Sequence, residues 1–254
     1  MKRLFIVFMM MVTGLCLADK QADITEWVAK GDAAFAEFDN KKALEWYEKA
    51  WALEPGNVDL LTRLTWTCNN VGEDLASKES ETYFEKAIFY AEKLKRAAPE
   101  KAETWFLISI SHGNLGLFQG GKKKVAGARA VVEAAQKCVE LDPDYGPGYV
   151  ALGIYYREVA GVNAFLRAFA NRFYGGLPTG TLEDAETFFL KGISKDPESL
   201  YAYYQLAKTY EDMEKTKKAV YCYRKVLAFP VTEHQDAAFK KVAAERVKKL
   251  EKND

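Results

Sequence analysis

Six residues at fixed offsets constrain this chain more than any other feature in it. Counting from Ile24, Trp27, Gly31, Ala43, Tyr47, Ala50 and Pro55 occupy positions 4, 8, 20, 24, 27 and 32. Small residues at 8 and 20 let two antiparallel helices approach, while aromatic rings at 4 and 24 fill the seam between them. Proline at 32 ends the second helix because it has no amide to donate. A unit of this kind cannot bury its apolar face alone, so it has to stack on copies of itself.

The copies are present. "KRAAPE" at Pro99, "VELDPDY" at Pro143 and "ISKDPES" at Pro197 repeat the helix end, and Tyr203, Ala207, Tyr210, Ala219 and Tyr223 form a last unit finishing near Pro230. The pattern resembles the tetratricopeptide repeat, a helix-turn-helix unit of about 34 residues. It predicts an all-α solenoid of about five helix pairs, forming a single domain over 19–254. From Val231, "TEHQDAAFKKVAAERVKKLEKND" predicts a terminal capping helix with Thr232 as its N-cap. Pro55, Pro99 and Pro143 stand 44 residues apart and Pro197 follows 54 later. Against the repeat length this implies inserts of about 10, 10 and 20 residues. They are "GEDLASKESETYF", whose acidic run "GEDLASKESE" is read as a solvated loop and helix start, "LFQGGKKKVAGARA", and "AGVNAFLRAFANRFYGGLPTGT".

The first residues read differently. Lys2-Arg3, the apolar run Leu4 to Leu17 and Ala18-Asp19 have the order of a secretory signal peptide, with cleavage after Ala18. Fourteen apolar residues are fewer than the roughly 20 that a membrane-spanning helix needs. The expectation is therefore an exported, periplasmic protein with no integral membrane segment after cleavage. Lipidation at Cys16 is the lesser alternative, because Leu15 stands where a small residue belongs. Cys68, Cys138 and Cys222 then remain, an odd number without metal-ligand spacing, which argues against a zinc site and a disulfide scaffold. The chain of 254 residues has 36 basic and 36 acidic side chains, so no global field draws it to nucleic acid.

Catalysis finds little support in the residues. Gly116, four residues and Gly121-Lys122 approach the phosphate-loop pattern, but Lys123 stands where a metal-binding hydroxyl is required and the preceding segment has helical periodicity. The glycines let the chain turn, and Lys122, Lys123 and Lys124 sit where a second helix begins. His112 and His234 lack a neighbouring triad or metal partner in sequence and are read as structural, and Cys68 and Cys138 as buried seam thiols. No cofactor, metal site or catalytic set is expected.

In such arrays positions 2, 5, 9 and 12 of each first helix face the concave surface. They hold Trp66, Phe106, Ile110, Val150, Ile154, Tyr201 and Tyr204, with Asn69, Arg157 and Lys208 among them, an apolar and aromatic groove with few cations. In the long insert Phe165, Phe169 and Phe173 recur at helical spacing with Arg167 and Arg172 beside them. Two readings follow: this helix packs into the groove and closes a core, or insert and groove jointly wall a pocket for a lipid or other hydrophobic ligand with an anionic head group. A groove that receives a peptide or helix of an envelope protein is the alternative function.

Leu115-Gly116-x-Phe118-x-Gly120-x-Lys122-x-Lys124, "AAQKCVELDPDYGPGYVALGIYYREVA", "YFEKAIFYAEKLKRAAPE", "RFYGGLPTGTLEDAETFFLKG" and "LAFPVTEHQD" together resemble the regulator of microtubule dynamics family, over about Tyr83 to Leu250. The resemblance implies a scaffold at an organelle surface and, in one branch, phospholipid binding and transfer. Tyr155 stands where that family would have Trp.

Overall fold

The computed structural model describes residues 20–75 and 77–252; the signal-like residues 1–18 lie outside the described residues. The chain is all-helical over that range. Helix α1 runs through residues 20–36 and pairs with α2 (Asn40–Leu53). The next pairs are α3 (Val58–Leu75) with α4 (Ser80–Ala97), and α5 (Ala102–Gln119) with α6 (Gly121–Leu141). Helix α7 (Gly146–Ala160) pairs with α9 (Leu182–Lys195) across the intervening α8 (Ala164–Phe173). Then α10 (Leu200–Asp212) pairs with α11 (Thr216–Ala228), and α12 (Asp236–Leu250) packs on both.

The prolines act as the repeat predicts. Helices α2, α4, α6, α9 and α11 end at Leu53, Ala97, Leu141, Lys195 and Ala228, and in every case a proline stands two residues later. The first two inserts do not leave the solenoid as loops. Helices α3 and α4 have 18 residues each against 13 in α10 and α11, so the added residues lengthen both helices of the pair. Four of the ten residues of the acidic run, Gly72 to Leu75, therefore complete α3 instead of forming a solvated loop, and Gly72 is buried. In the second insert the chain reverses through Gly120 and Gly121, with φ of 63° and 50°. A side chain at Gly120, whose ψ is −173°, would cost about 1–3 kcal/mol of backbone strain. Lysines crowd the start of α6 against its dipole, and two of them are relieved by carboxylates, Lys123 by Glu81 at 3.6 Å and Lys124 by Glu158.

The core divides at α7. Leu61, Leu64, Leu107, Ala135 and Leu152 belong to one buried cluster running from α1 to α7. Val150, Phe189, Leu206, Tyr223 and Val226 belong to a second running from α7 to α12. Gly153 of α7 makes room for a ring of α9, since a Cβ there would stand 2.7 Å from the Phe189 ring. Cys68, Cys138 and Cys222 are buried and free, and burial pushes the Cys138 and Cys222 thiols up to about 12.

The terminal helix begins differently from the expectation. Its N-cap is Gln235 rather than Thr232. The Asp236 carboxylate accepts from the backbone amides of Thr232 and Glu233, both at 2.8 Å, so the turn before the helix is tied to a side chain inside it.

Candidate functional site

The first helices of successive pairs touch one another, α3 on α5, α5 on α7 and α7 on α10, which puts them on the inner side of the curve. On that side Trp66 and Phe106 stand 5.4 Å apart, and Phe106 meets Tyr145 edge-on at 5.6 Å. The Trp66 indole donates to Glu103 at 3.2 Å. Ile110 packs partly buried against the same cluster. Phe106, expected on the open face, is buried in the first core cluster, so the strip that these rings form meets solvent only through half-buried Trp66 and Tyr145 at its ends.

Further along, Arg157 is 7% exposed and donates to the Gln205 side chain at 2.8 Å. Its other terminal nitrogen lies 3.5 Å from Glu158, which also holds Lys124. Burial would raise the Glu158 pKa, but Lys124 and Arg157 hold the carboxyl below its ordinary range. Lys208 lies 5.7 Å from the Tyr204 ring. Burial, and then the charge of Arg157, push its ammonium below the ordinary lysine range. Among the described residues Lys208 has no carboxylate within ion-pair distance.

Several expected groove residues have other surroundings. Val150 is buried in the second core cluster rather than on the open face, because Gly192 lets α9 close onto it. Tyr201 and Tyr204 both meet the chain's own last helix: Phe239 of α12 stacks on Tyr204 at 4.5 Å and lies 5.4 Å from Tyr201, which stays exposed on its other side. Ile154 faces a small apolar cleft of about 70 Å³ between α5, α6 and α7, which His112, Leu117, Tyr155 and Leu177 also line. The Tyr155 hydroxyl is buried, with no hydrogen-bond partner among the described residues.

Neither reading of the insert aromatics holds for all three rings. Phe165 and Phe173 are 66% and 65% exposed, and Phe169 is half-buried. Helix α8 rests on α6, a second-row helix, and Ala170 is its one buried residue. It therefore neither plugs the groove nor walls a pocket with Phe165 and Phe173. Ten residues with one buried methyl group give too little apolar contact to draw those rings inward.

The largest feature missed in the sequence is a clasp. His234, in the link before α12, places Nδ1 2.8 Å from Asp74 and Nε2 3.3 Å from Glu73, both at the end of α3. Gln235 donates to Glu73 at 3.0 Å. Glu73 also accepts from Asn114 of α5, and Asp74 from Asn40 of α2, each at 2.8 Å. The sequence reads His234 as structural, without a triad or metal partner nearby, and its role here is structural; but Asp74 stands 160 residues away, beyond the reach of any local motif. Burial disfavours its charged form, but the two carboxylates more than offset this and raise its pKa.

Stacked helix pairs with an aromatic inner face and a capping helix define a tetratricopeptide-type scaffold. Among the described residues no three His, Cys, Asp or Glu side chains converge to hold a metal, and no helix is long and apolar enough to cross a membrane. The chain belongs to the regulator of microtubule dynamics protein 1-3 family, whose sequence model matches residues 27–251. It is 25% identical to mouse regulator of microtubule dynamics protein 1 over 230 residues, spanning 88% of this chain and 74% of that protein. With the bovine protein the identity is 27% over 198 residues, 76% of this chain and 62% of the bovine one. In fold it is similar to a thermophilic TPR protein of Thermus thermophilus, with a TM-score of 0.66 at 15% identity over 88% of this chain and 98% of the other. A likeness to yeast Tom70 has a TM-score of 0.51 at 14% identity, over 91% of this chain and 41% of Tom70.

Proposed function

We propose that this chain is a non-catalytic scaffold whose inner face receives a segment of a partner protein. The observation that carries the reading is the pairing of an apolar strip, Trp66 to Tyr145, with a half-buried ammonium at Lys208 that has no carboxylate partner among the described residues. A segment with apolar side chains and an acidic group would satisfy both. Replacing Lys208 by Glu should weaken partner binding at least tenfold, a loss of about 1.4 kcal/mol, and Trp66→Ala should do likewise. A photocrosslinker at Ile110 gives the readout: the adduct formed by the parent protein should disappear in both variants while their helical content is unchanged. Undiminished adducts in both would sink the proposal.

A hydrophobic ligand is the second reading, favoured by the orphaned Tyr155 hydroxyl beside the apolar cleft. The cleft as it stands is far below the roughly 300–1,000 Å³ of pockets that enclose a small molecule, so an acyl ligand would have to open it. The order of residues 1–18 supports an exported setting for either function. One measurement addresses both points: the intact mass of protein made in its own host and purified without detergent. A chain beginning at Asp19 is expected, and a stoichiometric acyl lipid would move weight to the second reading. A retained leader would remove the exported setting.

A further inference from the structure

Phe165 and Phe173 of α8 are exposed, Phe169 between them is half-buried, and the three rings lie beside a basic patch. Phe165, Phe169 and Phe173 follow one another at four-residue steps, so they share one side of the helix. Phe169 lies 4.9 Å from Phe173. Lys122, at the start of α6, places its ammonium 5.5 Å from the Phe165 ring and 4.8 Å from Phe169. Residues 160–181 contain Arg167 and Arg172 and no Asp or Glu; residues 115–130 add three lysines and Arg129, again without an acid. In a chain whose charges balance overall, two acid-free segments meet at one place. Lys123, Lys124 and Arg129 have carboxylate neighbours on other turns, which leaves Lys122, Arg167 and Arg172 without an ion pair among the described residues. Arg167 instead donates to the Val159 carbonyl at 3.0 Å, which ties α8 back to the end of α7.

We infer that α8 is an interfacial docking helix for an anionic lipid bilayer, with Phe165 and Phe173 entering the acyl boundary and Lys122 and Arg172 meeting the head groups. Large rings standing in water beside unpaired cations suit that boundary: the rings gain from leaving water and the cations from a negative surface. A protein partner would have to supply both an apolar cavity and a negative rim, whereas an anionic bilayer offers both over any area. The surface lies away from the groove and does not rest on the reading given for it.

Flotation of the full chain with vesicles tests this. The probes are phosphatidylcholine alone and phosphatidylcholine with about 30% phosphatidylglycerol, a composition of order typical for an anionic leaflet. The parent protein should float with the anionic vesicles, and the bound fraction should fall as salt is raised through about 0.5 M. Phe165→Ser with Phe173→Ser should lower the partition coefficient at least tenfold. Lys122→Gln with Arg172→Gln should lower it for anionic vesicles only. All four side chains are outside the core, so thermal melting should be unchanged, and the apolar run at Leu4 to Leu17 is common to every variant and cancels. Equal partition of the parent and the Phe165→Ser, Phe173→Ser protein would overturn the inference and leave the patch as a protein-facing surface; so would equal binding to neutral and anionic vesicles.

Discussion

Replacing Phe189 by Ala should destabilise the protein by about 3–5 kcal/mol, the cost of emptying a buried aromatic site that cannot collapse. Phe189 is 0% exposed and fills the place where Gly153 lets α7 and α9 meet. Relaxation into the cavity is opposed from both sides, since Val150 and Leu206 are held in the same cluster. The effect should also be local in kind. Helix pairs in a stacked array draw stability chiefly from their neighbours, so a void at the junction of the two core clusters should separate them. Urea unfolding followed by circular dichroism should change from one transition to two, with α9 to α12 lost first. Leu190→Ala, one residue along and 47% exposed, should shift stability by less than about 0.5 kcal/mol. A single unshifted transition for the Phe189 variant would contradict this account of the core.

The clasp at His234 should make stability depend on pH in a defined direction. The imidazole faces Glu73 and Asp74 of α3, with Asn114 of α5 and Asn40 of α2 holding those carboxylates, and Glu233 and Asp236 lie in its own segment. Its folded pKa is raised, so the stabilisation is complete below about 6.5, the unfolded value, and is lost as pH rises through the folded value. Burial, then Asp236, raise the Glu233 pKa, and His234 lowers it in part; that group gives the same sign near and above its ordinary carboxylate range. Measurements above about pH 6 therefore weight His234. Between about pH 6 and pH 8.5 the parent protein should lose about 1–3 kcal/mol, the worth of hydrogen bonds to charged groups. His234→Gln should flatten that slope, and the Glu73→Gln, Asp74→Asn protein should flatten it as well. Hydrogen exchange should localise the loss to the link and α12. A slope that persists unchanged in His234→Gln would show that the clasp does not carry it.

The same contact explains where sequence reading stopped. Trp27, Gly31 and Tyr47 report the helix pair because their spacing is local and the packing rule repeats every unit. Trp66 and Phe106 lie beside one another as that register implies. Val150 fails on the same rule, because the close approach of α9 at Gly192 turns an open position into a seam. Tyr201 is 39% exposed, yet it and Tyr204 meet Phe239 of the chain's own last helix. Phe165 and Phe173 fail for another reason: periodicity states which side of a helix is apolar, and says nothing of whether a neighbour exists to cover it.

What the sequence determined alone was the unit: paired helices, each second helix stopped two residues before a proline, a turn at Gly120-Gly121, and a terminal helix to cover the last apolar face. These follow from steric and hydrogen-bonding rules acting within about 34 residues. The tertiary structure alone decided how the curve closes and what stays outside it. Small rotations between successive pairs accumulate along the array, and their sum brings His234 to Glu73 and Asp74 and leaves the rings of Phe165 and Phe173 in water.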